Sequence, residues 1–187
     1  MVRLDKIVTK AGDGGKTRLA TGEEVTKSSP RVQAYGEVDE LNCAVGVARL
    51  HTSADQKLDP ILRRLQNDLF DLGADLATPP TDRFEALRIA DAQVERLERE
   101  IDALNADLEP LTSFVLPGGE PAAAYLHQAR AIARRAERAA VRLSETEAVS
   151  AAAIRFINRV SDLLFVAARA ANDCGRADLL WIPGENR

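Results

Sequence analysis

Hydrophobic residues recur at three- and four-residue spacing along most of the chain after Ser29, a period typical of α-helices that bury one face. Ser29 is suited to an N-cap and Pro30 to the first helical position, so a first helix is predicted to begin there. A second apolar stripe runs from Leu58 to Leu76. It is expected to end before Thr78-Pro79-Pro80, because the residue before a proline is pushed out of the α region.

Three further helices follow in the second half of the chain. The third carries a narrow apolar seam from Val94 to Leu108 and is followed by a break at Glu109-Pro110. The fourth begins near Glu120-Pro121 and runs past Leu143. Its buried face is mostly alanine, which allows a neighbouring helix to approach closely.

The fifth helix is predicted over about Ser150 to Asp173, with Gly175 as the residue just beyond its C-terminus. Five helices joined by short links predict an all-α fold, an up-and-down five-helix bundle. The N-terminal part lacks this period and is expected to be an extended loop. The predicted division is a single domain over 1–187, with an N-terminal segment at 1–28, the bundle at 29–175 and a C-terminal tail at 176–187.

Composition narrows the classes of function. A length of 187 residues fits one domain, and a net charge of −4 provides no global field for binding nucleic acid or an anionic membrane. Cys43 and Cys174 are far apart and favour reduced structural cysteines over a disulfide or zinc site. Since the start of the chain has no apolar run, a soluble cytoplasmic protein is expected.

A glycine-rich segment from Thr9 to Thr17 is the part that helical packing does not explain. Gly12, Gly14 and Gly15 allow a tight turn whose N–H groups can face one anion, and lysines and threonines surround them. A Walker P-loop is excluded, because Lys10 stands where its first glycine is needed. The segment is interpreted as a different polyphosphate loop, and a solvated turn between two short extended pieces is the alternative.

Arginines form a stripe on the fourth helix beside the alanine face. Arg130, Arg134, Glu137 and Arg138 follow helical steps, and guanidinium groups can clamp a triphosphate in pairs. The alternatives are a solvated face with internal ion pairs and, less favoured in an acidic chain, an RNA-binding helix.

Two other helices offer polar candidates. Asn158 on the fifth helix can bond a nucleotide or, equally, a neighbouring helix. Glu37, Asp39 and Glu40 crowd the first helix, where an acidic group can pair with an arginine of another helix or subunit. A di-iron site is excluded because neither histidine follows a glutamate by three residues, and no catalytic triad can be inferred.

Together these segments resemble the ATP:cob(I)alamin adenosyltransferases of the PduO type. The resemblance covers nearly the whole chain and lies in five ordered motifs: the Thr9–Thr17 loop, Arg31-Val32-Gln33-Ala34-Tyr35-Gly36-Glu37-Val38-Asp39-Glu40-Leu41-Asn42, Phe114-Val115-Leu116-Pro117-Gly118-Gly119, Arg130 to Arg138, and Phe156-Ile157-Asn158-Arg159-Val160-Ser161-Asp162. It implies transfer of the 5′-deoxyadenosyl group of ATP to cob(I)alamin, with release of triphosphate.

The resemblance also implies a homotrimer with ATP held between subunits. The contacts from one subunit would come from its N-terminal segment: Thr9, Lys10, Gly12, Asp13, Gly14, Lys16, Thr17 and Lys27. Arg134 and Asn158 would contact ATP from the other subunit, with Glu137 near the ribose and the Mg²⁺ that ATP carries through its phosphates. Arg130 would pair with Asp39 across the interface, and these two are counted with Arg134 and Asn158 as catalytic residues.

Phe114 resembles the family phenylalanine that packs on the lower face of the corrin ring and displaces its dimethylbenzimidazole ligand. This makes cob(II)alamin easier to reduce; the alternative is an ordinary core aromatic. The nucleophile is the cobalt of the substrate, so no side-chain base is needed. A flavin-type reductase and a B12-dependent acceptor enzyme are the further partners implied.

Two departures from the family pattern limit this transfer of roles. Ala11 stands where many members have threonine, and Trp181-Ile182-Pro183 matches no segment of known role. A carrier or sensor that binds ATP or adenosylcobalamin without transferring the group is the competing hypothesis, and a helical scaffold without nucleotide is the third.

Overall fold

Five α-helices and a two-stranded antiparallel hairpin form the computed structural model, which describes residues 7–187. The elements in chain order are β1 (Lys16–Arg18), β2 (Glu24–Thr26), α1 (Pro30–Arg49), α2 (Leu58–Leu76), α3 (Asp91–Asn105), α4 (Pro121–Ser144) and α5 (Ala151–Ala171). The predicted five-helix bundle is therefore confirmed. Residues 1–6 of the predicted N-terminal segment lie outside the described residues.

Caps fix where two of the helices begin, and the one at Ser29 was predicted as a cap. The Ser29 hydroxyl accepts a hydrogen bond from the Val32 amide (3.4 Å), and Pro30 occupies the first helical position. The Ser150 hydroxyl accepts from the Ala153 amide (3.1 Å) at the start of α5. Each hydroxyl satisfies one of the amides that a helix start leaves without a partner.

The structure differs from the pattern-based prediction at the ends of α3 and α5. Helix α3 stops at Asn105, and Leu108 lies in a following turn. Helix α5 stops at Ala171, and Asp173 and Cys174 both have positive φ (52° and 51°) before Gly175. Gly175 is thus the last of three left-handed residues.

Two of the connections are longer than the short links that were predicted. Residues 77–90 join α2 to α3, and residues 106–120 join α3 to α4. The longer connections allow α3 to pack on α5, which is not its neighbour in sequence.

Helix α4 lies at the centre of the bundle, between α1 and α5. Its alanines facing them are at most 2 % exposed: Ala129, Ala133, Ala136 and Ala140. Helix α2 packs on the other side of α1, and its buried face is formed by Leu62, Leu65, Leu69, Leu72 and Leu76. The small side chains of α4 let α1 and α5 pack closely against it, and the large side chains of α2 fill the space beside α1. The core therefore lies around α1, α4 and α5.

One buried arginine joins several elements at one end of the bundle. Arg31, 2 % exposed, donates from Nη1 to the Leu76 carbonyl at the end of α2 (2.6 Å). Its Nε donates to Glu147 (2.7 Å) and its Nη2 to the Ala148 carbonyl (3.3 Å), both just after α4. The start of α1 and the ends of α2 and α4 therefore meet there, and we call this the hairpin end, because the β-hairpin lies against it.

The hairpin is attached to the bundle through its turn. The Ala20 amide donates to the Ala77 carbonyl just beyond α2 (3.3 Å), and Leu19 is 6 % exposed. Arg83 donates to the Thr21 carbonyl (3.3 Å). The glycine-rich segment is thus held at a bundle end by the strands that follow it.

Replacing Arg31 should destabilise the fold. We expect Arg31→Met to lower the free energy of unfolding by about 2 kcal/mol, because two buried carbonyls lose their donor. The matched control is Arg99→Met, which removes an exposed arginine of the i,i+4 pair with Glu95 and should cost less than about 0.5 kcal/mol. Urea denaturation at one fixed protein concentration measures both, and equal losses would contradict the prediction.

Candidate functional site

The glycine-rich segment is an exposed chain of turns that leads into β1. The Asp13 amide donates to the Lys10 carbonyl and the Gly15 amide to the Gly12 carbonyl, each at 3.2 Å. These two amides are used within the loop, so fewer N–H groups are free for an anion than the glycine content indicated. The alternative of a turn between two extended pieces describes the backbone correctly. A ligand would then be bound mainly by the side chains of the segment.

Lys27, from beyond the loop, lies against it. A Cβ atom at Gly12 would lie 2.8 Å from the Lys27 Nζ, so glycine leaves the space that this ammonium group uses. The Lys27 amide donates to the Gly15 carbonyl (2.9 Å). Lys16, by contrast, is turned toward Glu24 in an exposed ion pair (2.8 Å), a kind of contact that is weak in water.

The other predicted loop residues are accessible. Thr9, Lys10, Asp13 and Gly14 are exposed, and Lys10 has a φ of 58°. Thr17 is half-buried and faces Val25 in the hairpin register. Most of the charges and hydroxyls of the segment are therefore accessible to solvent at the hairpin end.

A second group of predicted residues lies on α4 and α5. Asn158 Nδ2 donates to Glu137 Oε1 at 2.8 Å, so both residues lie at the same place across the two helices. Arg134 is exposed on the same face of α4, and its guanidinium makes no hydrogen bond or ion pair within residues 7–187. A groove along this face is lined by Arg134, Glu137, Arg138, Val141, Arg142 and Glu145.

Arg130 has a different environment from Arg134. It is half-buried, its Cζ lies 5.9 Å from the centre of the Phe165 ring, and its Nε has no hydrogen-bond partner among the described residues. Burial, and then the charge of Arg134, lower the pKa of Arg130. No hydrogen bond or ion pair joins it to Asp39 within the described chain; Asp39 is exposed on α1 beside Phe70.

Two acidic residues of α1 have an arginine partner within the chain. Arg135 bonds Glu37 and Glu40, which confirms that acidic groups of this span pair with an arginine of another helix. These hydrogen bonds, first with Glu40 and then with Glu37, raise the pKa of Arg135. Sequence reasoning did not single out Arg135, although the Arg134-Arg135 doublet within the helical stripe was a signal that α4 presents charge on two faces.

Phe114 is 77 % exposed, so the alternative of an ordinary core aromatic is wrong. Its ring centre lies 6.0 Å from that of Trp181, with the planes inclined by 51°. Residues of the 106–120 connection and of the C-terminal tail thus form one exposed aromatic surface. Sequence reasoning found no role for Trp181.

His127 was not predicted to be a metal ligand, and in the structure it is a buried histidine. The residue is 1 % exposed, its ring lies 6.1 Å from Phe165, and neither ring nitrogen has a partner among residues 7–187. No group of three or more His, Cys, Asp or Glu side chains that could hold a metal ion occurs within that range.

The predicted residues fall into three groups within the chain: the glycine-rich segment, the group around Arg134 and Asn158, and Phe114. Phe114 lies near the start of α4 and the end of α5, whereas the hairpin lies at the opposite end of the bundle. Asn158 precedes Asn172 at the end of α5 by 14 residues, or about 20 Å of helix. No helix formed by residues 7–187 is long and apolar enough to cross a membrane.

Comparisons with known proteins fit this geometry. The family model described as cobalamin adenosyltransferase matches residues 7–171. A corrinoid adenosyltransferase of Mycobacterium tuberculosis (strain ATCC 25618 / H37Rv) is 46% identical over 190 residues, covering 100% of this chain and 97% of that protein. A cobalamin adenosyltransferase of Cupriavidus metallidurans is 42% identical, covering 96% and 95%.

Solved structures extend the similarity to the fold. A phenylalanine-to-histidine variant of a PduO-type ATP:corrinoid adenosyltransferase from Lactobacillus reuteri, complexed with cobalamin and ATP, superposes with a TM-score of 0.89 at 42% identity. The match covers 95% of this chain and 97% of that one. The chain belongs to the cobalamin adenosyltransferase family.

The burial of His127 predicts a pH dependence of stability. Burial first, and then the charge of Arg130, lower the pKa of His127 below its usual 6.5. The unfolded chain therefore binds this proton more readily, and the contribution of His127 to stability falls as the pH drops below about 6.5. When the pH is lowered from about 7.5 to about 5.5, the free energy of unfolding should decrease less for His127→Leu than for the parent.

Denaturant titrations at several pH values measure this difference. The control is His51→Gln, which changes an exposed histidine stacked on Tyr125 and should keep the parent's loss. Identical pH curves for parent and His127→Leu would contradict the prediction.

Proposed function

We propose that this protein transfers the 5′-deoxyadenosyl group of ATP to cob(I)alamin, forming adenosylcobalamin and releasing triphosphate. The observation that carries the proposal is the group on α4 and α5, where the Arg134 guanidinium has no hydrogen-bond or ion-pair partner among residues 7–187 and lies beside the Asn158–Glu137 hydrogen bond. A guanidinium exposed in a groove is available for phosphate oxygens, which it binds in pairs. The family match over residues 7–171 supports cobalamin as one substrate, and the similar Lactobacillus reuteri enzyme is complexed with both cobalamin and ATP.

The glycine-rich segment holds the triphosphate from a second side. The positive charge comes from Lys27, Lys10 and Lys16. Lys16 is paired with Glu24, but this ion pair is exposed, so it can open at little cost in free energy. Thr9, Asp13, Gly14 and Thr17 line the same accessible stretch. The polar side chains, more than the loop amides, carry this binding, since two amides are engaged within the loop.

The transfer itself is a nucleophilic displacement in which the substrate's cobalt supplies the electron pair. A cobalt–carbon bond forms at the 5′ carbon of ATP, and the bond from that carbon to the triphosphate oxygen breaks. Negative charge grows on the departing triphosphate. Arg134 and the lysines can stabilise that charge in place, and Asn158 with Glu137 positions the ribose.

Phe114 is placed in this scheme against the lower face of the corrin ring. An exposed ring beside Trp181 presents an apolar surface that excludes the dimethylbenzimidazole ligand from cobalt. Loss of that axial ligand favours reduction of cob(II)alamin to the cob(I)alamin nucleophile. A flavin-type reductase is the proposed source of the electron.

Magnesium enters with the nucleotide in this proposal. The described residues lack a cluster of carboxylates able to enclose the ion, and Glu137 is already bonded by Asn158. Mg²⁺ would be held mainly by the phosphate oxygens, as it commonly is in nucleotide sites, with Glu137 as the carboxylate that the family resemblance places near it. Its contribution is to neutralise triphosphate charge.

A homotrimer with the nucleotide between subunits is supported by the surroundings of Asp39 and Arg130. Asp39 and Arg130 are not bonded within the described chain, and each is free to meet the other from a second copy. An aspartate–arginine contact of this kind would bring the hairpin of one subunit to the Arg134 group of the next. A B12-dependent enzyme would receive the product, and a cytoplasmic location stays a prediction.

An anaerobic assay tests the reaction. Purified protein with cob(I)alamin, ATP and Mg²⁺ should give the absorption change of adenosylcobalamin together with stoichiometric triphosphate. Tight ATP binding by calorimetry without triphosphate release would favour a carrier or sensor. If ATP did not raise the melting temperature at all, the nucleotide site itself would be wrong.

Arg134→Ala should reduce kcat/KM by about 100-fold or more, because the departing triphosphate loses a charged donor. The fold should be retained, since Arg134 is exposed and its guanidinium bonds no other side chain or backbone group among residues 7–187. Arg99→Ala, an exposed arginine on α3, is the control and should turn over at the parent rate. An unaffected Arg134→Ala rate would show that the clamp is placed wrongly.

A further inference from the structure

The C-terminal tail is docked on the connection that carries Phe114. The Leu116 amide donates to the Leu179 carbonyl (2.7 Å), and the Trp181 amide donates to the Phe114 carbonyl (2.8 Å). The Ser113 hydroxyl donates to the Trp181 carbonyl (2.6 Å). These bonds align the two segments as an antiparallel bridge, so the backbone of Phe114 is held by the tail.

A buried polar cluster lies beneath this bridge. It consists of Arg169 and Asn172 at the end of α5 and Asp178 in the tail, whose side chains are respectively 6 %, 0 % and 2 % exposed. Arg169 Nε donates to Asp178 Oδ2 (2.8 Å), and Asn172 Nδ2 donates to Asp178 Oδ1 (3.1 Å). Both carboxylate oxygens of Asp178 are therefore used.

The same cluster holds the Phe114 connection at both of its ends. Arg169 Nη2 donates to the Glu109 carbonyl (2.9 Å) before Phe114. Asn172 accepts from the Glu120 amide (3.0 Å) and donates to the Gly118 carbonyl (3.2 Å) after it. Connection, helix and tail thus share one set of hydrogen bonds.

The contact with Asn172 is close enough to select the residue at position 119. A Cβ atom at Gly119 would lie 2.2 Å from the Asn172 side-chain oxygen, and Gly119 has a φ of +96°. Any other residue would push the connection away from Asn172. The Pro117-Gly118-Gly119 turn is therefore fitted to this cluster.

We propose that Arg169, Asn172 and Asp178 are positioning residues that, through the docked tail and Trp181, set the place of the Phe114 ring at the corrinoid face. The inference rests on the proposed function, because it assigns the Phe114 surface to the corrinoid. An aromatic ring that is 77 % exposed has few contacts of its own to fix it. The cluster removes that freedom before the corrinoid binds, and Trp181 supplies the neighbouring ring.

Asp178→Asn tests the cluster with little change in volume. It removes the charge that compensates the buried Arg169, so the tail should detach more readily. We expect the KM for corrinoid to rise about tenfold or more, because the Phe114 ring is misplaced. The KM for ATP should stay within about twofold of the parent, because the proposed ATP-binding group around Arg134 and Asn158 is distant from Asp178.

Two readouts do not depend on turnover. The amides of Leu116 and Trp181 should exchange hydrogen faster in Asp178→Asn, because their carbonyl partners are released. The electron paramagnetic resonance spectrum of cob(II)alamin bound with ATP should show more of the species with the axial nitrogen still on cobalt. A variant that merely lost stability elsewhere would not change that ratio.

Asp173→Asn is the matched control. Asp173 is in the same turn and bonds Arg176 in an exposed pair, so its loss should leave both KM values and the exchange rates as in the parent. If Asp178→Asn does not fold, Trp181→Ala and Trp181→Phe replace it. Alanine should raise the corrinoid KM, and phenylalanine should restore most of it by supplying a ring.

The outcomes separate this inference from the proposed function. An inactive parent would contradict the transferase, whereas the exchange of Leu116 and Trp181 still tests the cluster. A folded Asp178→Asn with parental corrinoid KM, or with unchanged amide exchange, overturns the positioning role. Equal corrinoid KM values for parent and Trp181→Ala overturn the part assigned to Trp181.

Discussion

Close packing along the alanine face of α4 is the constraint on which the rest of the structure depends. Ala129, Ala133, Ala136 and Ala140 leave room for α1 on one side and α5 on the other. A larger side chain at any of these positions would force the helices apart. The same three- and four-residue steps, shifted by one residue, carry Arg130, Arg134 and Glu137, so the packing of α4 also sets where these groups lie.

The environments of the α4 arginines then decide what each can do. Arg135 has two carboxylate partners on α1, and Arg130 is half-buried over Phe165. Arg134 has neither a carboxylate nor an aromatic ring as a partner among the described residues. Its N–H donors are therefore left for a ligand. This division of roles follows from where α1 and α5 pack, and a run of arginines in a helical sequence does not reveal it.

Local signals in the sequence predicted the elements well. Ser29-Pro30 marked the start of α1, because capping depends on residues that are adjacent in the chain. The 3-4 spacing likewise placed Arg134 and Glu137 on one face. Asn158 was left open between a ligand and a helix partner, and its bond to Glu137 required knowing how α4 and α5 are oriented.

Contacts between distant segments could not be predicted in this way. The Ser113–Trp181 and Glu109–Arg169 bonds join residues 68 and 60 positions apart, with no periodic pattern between them. The turns at Asp173 and Cys174 have positive φ without glycine, and the loop amides at Asp13 and Gly15 are used internally. Each depends on tertiary packing or local backbone geometry that composition does not encode.

Helix α5 is rigid, and it connects the polar group around Asn158 with the connection that carries Phe114. Asn158 belongs to the polar group with Glu137, and Asn172 belongs to the cluster beneath the Phe114 connection. Apolar contacts at the end of α5 would stabilise that connection without orienting it, because they are not directional. Hydrogen bonds from a buried amide and guanidinium do orient it, so the Phe114 connection is aligned to the same helix that carries Asn158.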